Sequence, residues 1–418
     1  MTTLDAWTPE RDTPQKPQPS LEAFFSYGFR PFFLAAGAFA ALLMTVWLAW
    51  VWETATGGSG TWLPVAGSPY AWHAHEMVFG FATAAIAGFL LTAVPNWTGA
   101  LPLSGAPLVG LFVLWCAGRI AMAVSGLLPE WTAAAIDLAF LPALAGFAGR
   151  QLMVKPAPRN LVFLLLLAAL VAGNAVYHLA TQGVIAVDPL AVLRNGLLVV
   201  GLTIAIIGGR IIPAFTHNWL QGNGINGPMP RRIAWVDAAS VLAIVAILLA
   251  RIAGAPAGVE GIVALAAAVL NGVRLALWRG LATRREPIVW ILHAGYAWLV
   301  VALALMAVAS LTAYVPVSLA HHALGTGAIG TMILAVMSRA SLGHTGRSIV
   351  APPAIVMAYC LVSLSAFLRV AGPLLLPFYQ GPVLVLAALA WIAAFVVFTV
   401  VYAPILTTPR VHAKLRPR

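Results

Sequence analysis

Charged residues are scarce in this chain. They make up 8% of its 418 residues, while 61% are hydrophobic. Soluble domains usually carry about 25% charged residues, because water must solvate their surface. The composition therefore excludes an ordinary soluble protein and predicts an integral membrane protein.

Cysteine is almost absent. The two cysteines, Cys116 and Cys360, each fall inside a long apolar stretch, which excludes a disulfide framework. Without a CxxCH motif, a covalently attached c-type haem is excluded as well. The apolar stretches are continuous rather than alternating, which favours transmembrane helices over a β-barrel.

Long apolar runs predict the fold class, an all-α polytopic membrane protein of about twelve transmembrane helices. A span needs about 20 residues to cross the bilayer core. The twelve predicted spans cover residues 29–52, 72–94, 107–127, 131–149, 160–181, 189–212, 233–253, 258–279, 287–312, 317–338, 351–371 and 380–404. Residues 1–22 are predicted to form a flexible cytoplasmic arm, 23–408 a single membrane domain, and 409–418 a basic cytoplasmic tail.

The positions of the basic residues indicate how the chain is oriented in the membrane. The net charge is +11, and most lysines and arginines fall on one side if the amino terminus is cytoplasmic. This bias follows the positive-inside rule and predicts that both termini are cytoplasmic. We expect contact with anionic membrane lipid and no nucleic-acid partner.

Five histidines are predicted at one depth, near the outer face. His73 and His75 open span 2, His178 closes span 5, and His321 and His322 open span 10. Polar groups are costly inside a membrane and usually mark a functional site. Imidazoles without nearby thiolates favour haem or copper as the bound metal group.

Helical geometry predicts in which directions these histidine side chains project. At about 100° per residue, His73 and His75 project about 200° apart and are predicted to face two separate centres. We favour His75 as the haem ligand, and His73 as part of a copper or proton-handling face. His321 and His322 diverge by only about 100°, so both can reach one metal. Glu76 shares the face of His73, where it would orient an imidazole, carry protons, or act as a structural carboxylate.

A weak internal repeat relates spans 2, 6 and 10. Their outer ends begin near His73, Arg194 and His321, which suggests three blocks of four helices. Arg194, with Asn195, is suited to pairing with haem propionates. The alternative is an interfacial arginine that extends to lipid headgroups.

Other polar residues leave alternatives open. Arg119 and Asp137, inside spans 3 and 4, are expected to form a structural ion pair rather than a polar pathway. A further group near the inner face would form a quinol site, a second haem site, or hydrogen bonds at helix ends; its members are His217, Asn218, His293, Arg339 and His344.

Six stretches resemble the NnrS family of haem- and copper-containing membrane proteins associated with nitric oxide metabolism. They are YGFRPFFL (27–34), WHAHEMVFGF (72–81), GFLLTAVPNWTG (88–99), GGRIIPAFTHN (208–218), LHAGYAWL (292–299) and HHALGTGAIGTMILAVMSRASLGHTGR (321–347). The resemblance implies b-type haem, copper, a location in the bacterial inner membrane and a role in handling nitric oxide. It does not assign individual histidines to haem or copper.

Two functions are then expected. The leading one is an enzyme that reduces two nitric oxide molecules to nitrous oxide with electrons from membrane quinol, using one or two b-type haems and copper. The alternative is a non-catalytic protein that senses or buffers nitric oxide, or transports a metal or nitrosyl complex. In the enzyme, the metal ligands would be His73, His75, His178, His321 and His322, with Arg194 at the propionates and Glu76 passing protons.

Overall fold

The computed structural model describes residues 18–225, 227–312 and 314–411. Twelve long apolar helices in these ranges confirm the predicted number of spans, and the described part contains no strand. Most of the predicted arm, and the predicted tail from His412 onward, lie outside the described residues. The helices are α1 Phe29–Ala55, α2 Pro69–Thr98, α3 Ala106–Ala123, α4 Thr132–Leu152, α5 Pro158–Thr181, α6 Pro189–Gly222, α7 Ala234–Ile252, α8 Ala257–Leu277, α9 Pro287–Thr312, α10 Val317–His344, α11 Pro353–Leu375 and α12 Pro377–Thr407.

Several helices are longer than the apolar runs that predicted them. Helix α6 continues ten residues past its predicted end, to Gly222, and α10 continues to His344. The backbone hydrogen bonds of a helix persist where its side chains become polar, so hydropathy marks the apolar part of a helix rather than its ends. Prolines 69, 158 and 189 stand at the first helical position, where a missing backbone N–H costs nothing.

Three helices form the centre of the bundle. Burial inside the protein covers 78% of the most apolar part of α2, 67% of α6 and 72% of α10, but at most 39% of every other helix except α9. These are the three helices that the predicted repeat equates. The other helices pack around them, and α1 packs against α12. Trp391 on α12 strengthens that contact by donating its Nε1–H to the Ala40 carbonyl at 3.1 Å.

Helices α2 and α10 share an irregularity. Each begins as an α-helix, widens into a π-helix at 76–82 or 323–330, and then resumes as an α-helix. In both helices the π-helix begins directly after a histidine, His75 or His322. Widened turns of this kind occur often at functional sites. In α2, the Trp115 indole donates to the Gly80 carbonyl at 3.1 Å, so a neighbouring helix satisfies part of the altered backbone.

We call the two ends of the bundle the His75 end and the His293 end, after a buried histidine at each. Helices α2, α4, α6 and α10 begin at the His75 end, where α3, α5 and α11 finish. At the His293 end, α9 begins while α2, α6 and α10 finish. The two sets of predicted site residues thus lie at opposite ends of the same three central helices, one at the His75 end and the other at the His293 end.

Candidate functional site

Four helices bring polar side chains together around Asp137 at the His75 end. The carboxylate of Asp137, on α4, accepts hydrogen bonds from the Arg119 guanidinium on α3 and from two residues of α5. Those two are Asn174, whose Nδ2 donates at 2.8 Å, and His178, whose Nε2 donates at 2.9 Å. All four side chains are buried, so they interact in a medium that screens charge poorly.

His75 and Glu76 of α2 complete this cluster. His75 Nδ1 donates to Glu76 Oε1 at 2.9 Å, and His75 Nε2 donates to Asn174 Oδ1 at 2.9 Å. The orientation of Asn174 is fixed because its Nδ2 must face the Asp137 carboxylate. With the Glu76 carboxylate ionised, His75 would donate from both ring nitrogens, as an imidazolium cation does.

The charges of this cluster balance. Arg119 and His75 are the cations, and Glu76 and Asp137 are the anions. Arg119 Nη1 also donates to Glu76 Oε1 at 2.5 Å, so it joins both carboxylates. An unpaired charge would be very costly at this depth. The predicted ion pair of Arg119 with Asp137 is confirmed, within a larger acid–base network of His75, Glu76, Arg119, Asp137, Asn174 and His178.

Glu76 has a different partner from the one its spacing suggested. On a regular helix it would share the face of His73, three residues earlier. In the structure Glu76 opens the π-helix, and its Oε1 is held by His75 and Arg119. The buried guanidinium of Arg119 and the His75 ring hold the Glu76 carboxylate in the network. It does orient an imidazole, but that imidazole is His75.

The network also contains a possible metal-binding triad. Ligand atoms of His75, Asp137 and His178 lie within 4.8 Å of one another. A metal here would replace the hydrogen bonds of His75 and His178, just as a metal at His322 would replace its contact with Arg369. The arrangement can also hold and move protons.

A second cluster lies at the same end of the bundle, and we call it the imidazole cluster. Its members are Trp47, His73, His321, His322 and Arg369. The His73 ring stacks on Trp47 with centroids 4.3 Å apart. His322 lies within electrostatic reach of His73, His321 and Arg369.

Two imidazole nitrogens of this cluster lack a partner among the described residues. They are His73 Nδ1 and His321 Nε2, and both atoms are buried. A buried polar atom without a hydrogen bond is costly and calls for an explanation. His322 Nδ1 donates to the Ser318 carbonyl at 2.7 Å, while its Nε2 accepts from Arg369 at 3.0 Å. A backbone carbonyl on one ring nitrogen is the usual support of a metal-binding histidine.

The ligand atoms of these three histidines do not all lie within 4.8 Å of one another, unlike those of His75, Asp137 and His178, so a bound metal would have to draw them together. The imidazole cluster offers nitrogen lone pairs from His73, His321 and His322. A set of neutral nitrogens is compatible with copper or with haem iron. Sequence geometry predicted that His73 and His75 project in different directions, and their contacts differ: His75 joins the acid–base network and His73 stacks on Trp47. That each serves a separate centre stays a prediction. The five histidines divide into a pair, His75 and His178, and this group of three.

Among the described residues, neither Arg194 nor Asn195 makes a side-chain hydrogen bond to either cluster. The Arg194 side chain is 44% exposed and lies 3.9 Å from the Asp188 carboxylate. Asn195 is half-buried on the same helix. The role of these two residues at haem propionates stays a prediction, and Arg369, which contacts His322, is a second cation at this end.

The residues predicted near the inner face each have their own neighbours. His293 is buried and donates its Nε2–H to Thr216 Oγ1 at 2.9 Å, beside half-buried His217. Arg339 lies over the Phe215 ring, 3.8 Å from its centroid. The exposed His344 stacks on Tyr27 at 6.3 Å. These separate contacts resemble hydrogen bonding and stacking at helix ends more than one shared cofactor site.

Sequence reasoning missed Asn174, Trp47 and Arg369. Asn174 stands four residues before His178 in an otherwise apolar helix, so the two share a face. A polar residue at that depth is itself a functional signal. Trp47 and Arg369 offered no such spacing relation to His73 or His322, because the four residues lie on four different helices.

Comparison with known proteins identifies the family of the chain. The family model described as NnrS protein matches residues 23–410, nearly the whole chain. No curated protein matches it significantly. The matched range includes every residue of the acid–base network and of the imidazole cluster. The chain therefore belongs to the NnrS family.

Proposed function

We propose that this protein reduces nitric oxide to nitrous oxide at a metal centre in the imidazole cluster, with protons held in the adjacent acid–base network. Family membership implies a role in nitric oxide metabolism. The observation that carries the proposal is the pair of unpartnered buried nitrogens, His73 Nδ1 and His321 Nε2. They lie at the same end of the bundle as a buried network whose charges balance.

The reaction joins two substrate molecules: 2 NO + 2 e⁻ + 2 H⁺ → N₂O + H₂O. One N–N bond forms, one N–O bond breaks, and the released oxygen leaves as water. We propose membrane quinol as the donor, since its oxidation to quinone supplies two electrons. Copper and b-type haem, when bound, would supply substrate binding and electron transfer.

The histidines would hold and orient the metal. His73, His321 and His322 would be the ligands, and the Ser318 carbonyl would keep the His322 ring in the tautomer that leaves Nε2 free. Arg369 occupies that nitrogen here. With a metal bound, its guanidinium would be available for an anion, and a haem propionate has suitable charge and geometry.

Protons would come from the acid–base network. His75 carries a proton on each nitrogen, and Glu76 accepts one of these hydrogen bonds. Transfer of that proton to Glu76 would leave His75 neutral and Glu76 able to pass the proton onward. His178 lies one turn from the end of α5 and contacts Asp137, so it is placed to resupply the network.

The experiment combines turnover with metal content. Purified protein in lipid nanodiscs receives a reduced quinol analogue; an electrode follows nitric oxide, and gas chromatography measures nitrous oxide. Steady turnover with one N₂O per two NO supports the enzyme. Binding of nitric oxide without turnover contradicts it and favours the non-catalytic alternative.

Metal analysis tests the ligands separately. We expect His321→Ala and His322→Ala to lose bound copper or haem. The matched control is His344→Ala, since His344 is an exposed histidine at the opposite end of the same helix. Unchanged metal content in both test variants would refute the ligand assignment. In Glu76→Gln we expect retained metal and a lower kcat.

A further inference from the structure

A cavity lies in the middle of the bundle, between α2, α6 and α10. Its volume is ≈ 60 Å³, and its lining includes Ala85 and Phe89 of α2, Thr203 and Ile207 of α6, and Met332 and Val336 of α10. We call it the central chamber. It is separated along α2 from Glu76 by 9 to 13 residues, or about 15–20 Å of helix.

The chamber is suited to remain dry. Thr203 is the one polar residue in the described lining, and its hydroxyl donates to the Val199 carbonyl at 2.9 Å. Buried water needs two to four polar partners, and apolar cavities stay empty of water. The walls therefore present methyl, thioether and aromatic groups without a free hydrogen-bonding site.

The size of the chamber limits its occupant. One water-sized molecule needs about 10–15 Å³, whereas a cavity that accepts benzene measures about 150 Å³. At ≈ 60 Å³ the chamber is large enough for a xenon atom or a small diatomic gas. Nitric oxide is neutral, weakly polar and diatomic, so it matches both the volume and the apolar walls.

Small side chains follow the chamber-lining residues toward the His293 end. Continuing each face by helical steps of three or four residues reaches them on all three helices, on α6 only after half-buried Ile211. They are half-buried Ala93 on α2, exposed Ala214 on α6, and half-buried Ala340 with exposed Gly343 on α10.

Toward the His75 end the same helices close. A Cβ on Gly201 of α6 would lie 2.9 Å from Leu324 of α10, and one on Gly196 would lie 3.3 Å from Val78 of α2. Such contacts leave no room for a side chain at either glycine. The helices that line the chamber are thus closely packed toward the His75 end, where the two histidine clusters lie.

We propose that the central chamber binds small apolar gases and collects nitric oxide below the histidine clusters. The identity of the gas rests on the proposed function, whereas the capacity to bind an apolar gas rests on the chamber alone. Nitric oxide bound here would reach the histidine clusters when the packing around Gly196 and Gly201 loosens, and no covalent step is involved.

Xenon is the probe for the chamber itself. Full-length protein in nanodiscs is titrated with xenon and followed by ¹²⁹Xe NMR. We expect saturable binding in the wild type and its loss in Val336→Phe, which places a ring in the chamber. The matched control, Leu386→Phe, adds the same ring to an exposed leucine of α12 and should bind xenon normally. Absence of saturable xenon binding in the wild type overturns the proposal, whatever the variants do.

Kinetics tests the role in nitric oxide capture. We expect Val336→Phe to lower kcat/KM for nitric oxide by about tenfold, with kcat retained. If Val336→Phe loses xenon binding but keeps its kcat/KM, the collecting role is refuted. Wild-type protein that turns over nitric oxide but binds no xenon refutes the chamber and leaves the proposed function intact. Xenon binding without turnover supports the chamber and refutes the proposed function.

Discussion

Replacing Asp137 with Asn tests whether the acid–base network depends on balanced charge. The substitution removes one of two buried anions and leaves Arg119 and His75 as cations against Glu76 alone. One positive charge is then uncompensated in a buried site. Breaking a buried pair by removing one partner typically costs about 3–5 kcal/mol, and we expect a loss of that size in the free energy of unfolding.

A second substitution distinguishes charge balance from lost packing. Arg119→Gln alone leaves two anions against one cation, but Arg119→Gln with Asp137→Asn restores neutrality. We therefore expect the double variant to lose less stability than the sum of the two single variants, by about 1–3 kcal/mol. The assay is unfolding by SDS in mixed micelles, followed by tryptophan fluorescence and circular dichroism.

The control is an exposed ion pair at the same end of the bundle. Asp188 lies 3.9 Å from Arg194, and their side chains are 55% and 44% exposed. Exposed pairs contribute about 0–1 kcal/mol, so Asp188→Asn should change stability little. If Asp137→Asn costs no more than Asp188→Asn, or if the double variant is strictly additive, the reasoning about a coupled network is wrong.

Two further predictions concern close packing and a second buried arginine. In Gly80→Ala the new Cβ would lie 3.0 Å from Arg119 Nη1, so we expect a loss of about 1–3 kcal/mol in unfolding free energy. Gly110→Ala, which meets nothing within 4 Å, should be neutral or stabilising in the same assay, and equal effects would contradict us. Arg274→Lys keeps the charge beside Asp237 but loses the planar guanidinium that donates to it at 2.6 Å. We expect thermal unfolding at lower temperature with unchanged metal content, and an unaltered Tm would disprove this role.

Much of the fold followed from composition and hydropathy. The number of spans was correct because each apolar run of about 20 residues must cross the bilayer. The ends of α6 and α10 were placed too early, since helical hydrogen bonding continues into polar sequence. The separation of His73 from His75 also followed from the sequence, because a helix fixes the angle between neighbouring side chains.

Which residues make up each cluster could not be predicted from the sequence. Glu76 was assigned to the face of His73 from helical spacing, but its long side chain is held by His75 and by Arg119 of another helix. Asn174 shares a face with His178, but its partners His75 and Asp137 lie on other helices, so its spacing did not reveal its role. Arg369 and Trp47 come from α11 and α1, and no local pattern connects either with His73.

The sequence by itself determined that the chain is a membrane protein with twelve helices. It also showed that several histidines fall in membrane segments, where burying a polar group is costly, and that neighbouring histidines of α2 project in different directions. Only the tertiary structure decided which helices are central, because lipid-facing and protein-facing surfaces are equally apolar and hydropathy cannot separate them. Only the structure joined α2, α3, α4 and α5 around Asp137, since contacts between helices depend on packing and not on distance along the chain.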